Sequence, residues 1–125
     1  EATYQGIQLG HHWWESLDYA NRQSSLTADQ AKPSADGAFY FVISERDPGV
    51  ANWLDTEGFH RGVIMMRFDG IPGEVIDEGK EPTAILVKLD ELGEHLPEGE
   101  AEISAAQRAA QIALRRRHVQ RRFGF

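Results

Sequence analysis

Asp47-Pro48-Gly49 constrains the path of this chain more than any other part of it. Pro48 presets φ for the second position of a turn and Gly49 accepts a positive φ at the third, so residues 47–50 fit a type II turn. That turn predicts a reversal between two apolar runs, residues 38–44 and 62–68. In the first run Phe39, Phe41 and Ile43 alternate with Tyr40 and Val42, the pattern of a strand buried on both sides. In the second, Val63, Met65 and Arg67 alternate with Ile64, Met66 and Phe68. Between them, Val50-Ala51-Asn52-Trp53-Leu54-Asp55-Thr56 gathers amide, carboxylate and indole groups on one stretch.

The remaining elements follow from periodicity and breakers. Residues 3–15 read as one long strand or two short ones, bulged at Gly10. His11 and Trp13 would then share one side and His12 and Trp14 the other, so only one of these tryptophans can face the core. Residues 16–35 are polar, with Thr27 and Gln30 spaced as a capping box around a single helical turn. Pro33 to Gly37 reads as a turn. Residues 69–82 form an exposed loop broken by Gly70, Pro72 and Gly73, and residues 84–89 a short strand carrying Ile85, Val87 and Leu89. Residues 90–102 form a turn-rich connection with Leu92 and Leu96 tucked inward. A helix over about residues 104–122 opens on a Ser104/Gln107 capping box. Its expected apolar stripe is Ile103, Ala106, Ala110 and Leu114 with Ile112 and Ala113, and it frays near Phe123-Gly124-Phe125.

Charge is divided unevenly. The net charge is -7 over 125 residues, but all twenty Asp/Glu precede residue 103. Residues 1–102 hold seven Lys/Arg against those twenty acids, a balance of -13, whereas residues 103–125 hold six Arg and no acid, a balance of +6. A tail of this kind is expected to dock on an acidic surface of its own body or of a neighbour. With so acidic a body and no aromatic-basic stripe, the arginines do not read as a nucleic-acid footprint. Gly58 to Gly62 lacks the spacing and lysine of a phosphate loop. The absence of cysteine removes disulfides and thiolate metal sites. No apolar run approaches the roughly 20 residues of a membrane span. The sequence therefore reads as one soluble domain, with the cytoplasm the expected compartment. Its start at Glu1 reads as a processed or truncated product.

Several of these residues also form a recognisable series: Ile7-Gln8-Leu9-Gly10, Trp14-Glu15-Ser16-Leu17-Asp18-Tyr19, Arg22-Gln23, Ser25-Leu26, Gln30-Ala31 and Asp36-Gly37. It continues through Asp47-Pro48-Gly49, Asn52-Trp53-Leu54-Asp55-Thr56, Gly58, Gly62 and Arg67. In this order, over most of residues 4–68 and more loosely through residues 87–97 and the Arg108-containing helix, the chain resembles the C-terminal region of bacterial proteins in the domain of unknown function 1214 family. The resemblance implies a jelly-roll-like β-sandwich at the C-terminal end of a larger protein, with the N-terminal part of that protein as a partner. It implies no activity. Leu26-Thr27 departs from the family's frequent Leu-Asn, keeping a capping hydroxyl in place of an amide. The expected fold is thus mainly β: a single jelly-roll-like β-sandwich domain over residues 1–125, closed by one C-terminal helix. Five or six strands are legible where a complete jelly roll has eight, so either residues 16–35 hide a strand or the sandwich is incomplete.

Three functional readings remain open. The leading one is a non-catalytic or small-ligand-binding module, in which Trp14, Asp18, Arg22, Asn52, Trp53 and Asp55 combine aromatic stacking with directed hydrogen bonds, as carbohydrate sites do. An enzyme would use Asp47 and Asp55 as acid and base with Arg67 as electrostatic partner. A subunit-assembly module would use the basic helix to form a homo-oligomer. His11, His12 and His60 with Asp18 or Asp55 have ligand chemistry, but adjacent histidines on a strand diverge and the spacing of a metal-binding jelly roll is missing. No metal and no cofactor is therefore expected.

Overall fold

The computed structural model describes residues 2–124. It contains five strands in two small sheets and one long helix: β1 (Tyr4–His11), β2 (Ser25–Thr27), β3 (Val42–Ser44), β4 (Trp53–Asp55), β5 (Gly62–Asp69) and α1 (Ala105–Phe123). β2, β1 and β5 form an antiparallel sheet in that order, and β3 pairs with β4 in parallel. Short 3-10 turns occupy Pro72–Glu74 and Leu89–Glu94.

This arrangement overturns the mainly β, jelly-roll β-sandwich expectation. The two sheets do not close on one another, and the 19-residue α1 holds nearly as much of the chain as all the strands together. The physical reason is that alternation alone does not make a strand, because a ladder also needs a neighbour. Phe39 and Phe41 stack with ring centroids 6.1 Å apart, yet residues 38–41 belong to no strand and pairing begins only at Val42. Residues 84–88 carry the expected apolar alternation and pair with nothing; Leu86 is fully exposed. The polar stretch does hide a strand, β2. Its Thr27 starts one turn in which Gln30 Oε1 accepts from the Thr27 N–H at 2.9 Å.

The antiparallel sheet carries the first core. Ile7 opposes Leu26 on one side and Met66 on the other, and Leu9 opposes Ile64. All therefore share one face, on which Ile7, Leu9 and Leu26 pack with Leu17, Leu54 and Phe41. A second cluster, Val42, Val50 and Trp53 with Leu92 and Leu96, forms under the parallel pair. Trp53 is the buried tryptophan. β1 ends at His11, so Trp13 and Trp14 sit in a turn and both stay exposed, at 74% and 70%, rather than one facing inward.

The Asp47-Pro48-Gly49 turn forms, but the strands that flank it run in the same direction, so the expected reversal is not carried through to β4. Gly49 takes φ 76°, as the third position of the turn requires, and its N–H donates to Asp47 Oδ1 at 2.8 Å. Parallel neighbours ordinarily need a crossover of about a dozen residues or more; here residues 45–52 suffice, so β4 returns beside β3 in the same direction. The outer edge of that connection then binds the chain leading into α1. Ile103 N–H donates to Gly49 O and Ala51 N–H to Ala101 O, both at 2.8 Å. Ser104 follows at once and caps α1 with a complete capping box.

α1 lies on the body through a face that shares only part of the expected stripe. Arg108, Gln111, Ile112, Ala113, Arg115 and Val119 are its covered positions and Ile103 is half-buried just before it, whereas Ala106, Ala110 and Leu114 are exposed. Gly124 ends it with φ 76° and an N–H bond to Gln120 O, the left-handed cap that glycine permits. The expected fraying at Phe125 lies outside the described residues.

Candidate functional site

The polar groups of the central stretch are divided between two neighbouring constellations, each built on the backbone that the turn positions. In the first, Arg108 projects from the second turn of α1 into the 45–52 connection. Its Nε donates to Asp47 Oδ2 at 2.9 Å and Nη2 to Asp47 Oδ1 at 3.3 Å. Nη1 donates to Ala51 O at 3.3 Å, Nη2 also donates to Val50 O, and the guanidinium carbon stands 5.1 Å from the centroid of the Trp53 ring. A planar fork of five donors suits this mixture of carboxylate, carbonyl and ring face, and lysine has no equivalent. Trp53 is fixed from its other end, where Nε1 donates to Ser44 O at 3.1 Å.

Burial pushes the Asp47 carboxyl upward, but the Arg108 hydrogen bonds, the Gly49 N–H and the Arg108 charge outweigh it and hold Asp47 below its ordinary value of 3.8. A carboxylate depressed in the folded state stabilises the fold above its unfolded pKa and loses that contribution as pH falls through the folded value. Asp47→Asn is therefore expected to lower the urea midpoint at neutral pH. The gap to the parent should narrow as the pH drops below about 4, the carboxyl range of the unfolded chain. An unchanged gap across the acid limb would show that the Asp47 charge is not what Arg108 holds.

The second constellation centres on Asp55. Its Oδ1 accepts the Glu57 N–H at 2.8 Å and its Oδ2 accepts from Arg22 Nη1 at 3.1 Å. Glu57 Oε2 in turn accepts the Asp18 N–H at 3.0 Å. Asp18 receives the Asn21 side-chain amide at 3.0 and 3.1 Å and its backbone N–H at 3.1 Å. The Asn21 amide is the main cause of the lowered Asp18 pKa. Asn52 is 2% exposed and behaves as a strand partner: Oδ1 accepts the Lys32 N–H at 2.8 Å and Nδ2 donates to Lys32 O at 2.7 Å.

Of the acid-base candidates, Asp47 is bound to Arg108 and Asp55 to Arg22, so the two carboxylates face different partners. Arg67 stands exposed on β5 and takes part in none of the ion pairs among the described residues. Of the proposed ligand set, Trp53, Asn52 and Asp55 are buried, Asp18 is half-buried, and Arg22 and Trp14 reach solvent. Trp14 is held at φ 63°, with its N–H on His11 O at 2.9 Å. The histidines form part of an aromatic cluster: the His11 ring centroid is 5.7 Å from His12 and 5.4 Å from Phe59. Among the described residues no group of three or more His, Asp or Glu side chains is placed to hold a metal ion.

Three contributors escape the sequence reading. Gln23 is buried and its amide donates to Ala51 O at 3.2 Å and Trp53 O at 2.6 Å, tying β4 to the polar stretch. Arg108 is buried on a helix whose arginines are expected only to dock by charge on an acidic surface. Arg115 donates to Ser25 O, Ser25 Oγ and Tyr19 O, and its burial lowers its pKa from the ordinary value. The available signal was the Arg108, Gln111, Ile112, Arg115, Val119 spacing, a covered helical face of mixed polarity that a search for apolar stripes passes over.

Two recesses open on the surface. A shallow one of about 200 Å³ lies between Leu9, Leu17, Ile43, Phe59 and Ile64. A wider, open one of about 800 Å³ runs between Val50 and the 89–102 connection. No helix is long and apolar enough to cross a membrane among the described residues.

Fold and site together define a small unit of mixed helix and sheet in which the buried polar side chains mostly serve the unit's own backbone. No family model and no curated protein matches the chain. Among solved structures it is similar to an uncharacterized protein from Burkholderia cenocepacia, with 37% identity and a TM-score of 0.54 over 56% of this chain. The matched part spans 19% of that protein's length.

Proposed function

We propose that this chain is a non-catalytic assembly module: a unit that joins polypeptide surfaces rather than transforming a small molecule. The carrying observation is the core face of the antiparallel sheet, which runs out uncovered at β5, where Ile64 is 55% and Met66 38% exposed. Exposed apolar side chains contiguous with a core are the mark of a surface that another chain covers. The unpaired apolar segment at residues 84–88 has the same character. The reading places the module at the C-terminal end of a longer protein of the domain of unknown function 1214 type, with the N-terminal part of that protein and further copies of the module as its partners. The short coverage of the Burkholderia protein supports the larger context.

One observation favours a second reading, small-ligand binding. Trp13 and Trp14 stand exposed side by side, Trp14 in the left-handed region, a conformation costing of order 1–3 kcal/mol that is often retained for function. A thermal-shift screen of sugars, carboxylic acids and divalent metals on the intact chain, with Trp14→Ala and Asp55→Asn beside it, separates the two. Assembly predicts no saturable shift from any small compound, together with concentration-dependent association in sedimentation. A saturable shift that either variant abolishes would overturn assembly in favour of ligand binding.

A further inference from the structure

The two edges of the antiparallel sheet are treated differently. On β2 the guanidinium of Arg115 binds the Ser25 carbonyl, blunting that edge. On β5 the edge is open. Leu9 N–H donates to Ser24 and Gln5 O accepts from Ala28, so the odd residues of β1 face β2 and the even ones face β5. Through the β1–β5 register the odd residues of β5 are the ones bonded to β1. Gly62, Ile64, Met66 and Phe68 therefore turn their backbone N–H and C=O groups outward, along a strand with no proline and no lysine to discourage pairing. The same four residues lie on the core face of the sheet.

We infer that β5 pairs antiparallel with β5 of a second copy of this chain about a two-fold axis at Met65, making one continuous six-stranded sheet. This rests on the assembly reading and names the partner and the register. Only registers pairing even with even residues keep both core faces on one side and use the outward groups. Charge then selects among them. An axis at Ile64 sets Arg61 against Arg67 of the other copy, two like charges. An axis at Met66 sets Asp69 against Val63. An axis at Met65 sets Arg61 against Asp69 twice over, Ile64 against Met66 twice over, and Phe68 against Gly62, where a ring covers the bare backbone. Arg61 and Asp69 are exposed and neither takes part in an ion pair among the described residues. The arrangement is isologous, as a closed dimer requires.

The chain has no cysteine, so single-cysteine variants report the register directly. Met65→Cys places two thiols opposite each other in a non-hydrogen-bonded pair about 4.5 Å apart at Cα, within disulfide reach. Mild oxidation should yield a covalent dimer, whereas Val63→Cys, facing Arg67 of the other copy, should yield none. Arg61→Asp or Asp69→Arg alone should weaken association about tenfold by sedimentation, and the double exchange should restore it. These exposed substitutions should leave the fold intact by circular dichroism. Association without the Met65→Cys cross-link and without charge-exchange rescue would overturn this interface while leaving the assembly reading standing. A monomer at every concentration would overturn the interface and the assembly reading together.

Discussion

Arg108→Ala is expected to remove about 3 kcal/mol of stability, the range for breaking a buried charge pair that also holds main-chain carbonyls. The side chain satisfies Asp47, Val50 O and Ala51 O and lies on Trp53, so its loss strips one side of the connection that carries the parallel pair. Arg108→Lys should recover less than half of the loss, because an ammonium cannot serve carboxylate, carbonyls and ring face together. Urea unfolding followed by the helical signal measures both. Coupling identifies the partner: Asp47→Asn should cost little more once Arg108 is gone. If Arg108→Ala moves the midpoint by no more than an exposed Arg121→Ala, the helix is held by something other than this contact.

Asn52→Asp should be the second large effect, about 3 kcal/mol at neutral pH, although the side chains are nearly identical in shape. The buried amide donates to Lys32 O and accepts from Lys32 N–H. An aspartate keeps the acceptor but turns a second, charged oxygen toward the Lys32 carbonyl. Burial and that carbonyl would raise the carboxyl's folded pKa above its unfolded value near 3.9. The penalty is then full above the folded pKa and is relieved as pH falls through it, when the protonated acid can again donate. Asn52→Ala should cost about 2 kcal/mol with no such pH dependence. Parallel pH profiles for the two variants would sink this account.

The turn, the helix with its capping box, β1 and β5 were legible because their signals are local: Pro48 and Gly49 set dihedrals, Ser104 and Gln107 reciprocate, and alternation in residues 4–11 and 62–69 extends over two full strands. Pairing partners were not legible. The parallel return of β4 beside β3 depends on Arg108, which lies 61 residues beyond Asp47, and no local pattern encodes that contact. Residues 84–88 look like a strand because they have a strand's composition, and they have no ladder because no neighbour reaches them. At the site, residue type marked Asn52, Asp55 and Trp53 correctly as a concentration of polar chemistry. Whether such groups meet a ligand or their own backbone is set by burial, which the sequence does not display.

The contact between Arg108 and the 45–52 connection also sets a schedule. On the ribosome, domains form as units from the N-terminal end as synthesis proceeds. Here the parallel pair and its connection are complete long before the guanidinium that fastens them has been made. β1, β2 and β5 can assemble as soon as residue 69 has emerged, since their ladder is wholly contained in the earlier chain. The parallel half must wait until Arg108 has been made. A truncation between residue 69 and Arg108 should thus leave a nascent chain with one formed sheet, one unfastened loop and an exposed Trp53, a species fit for chaperone capture rather than release.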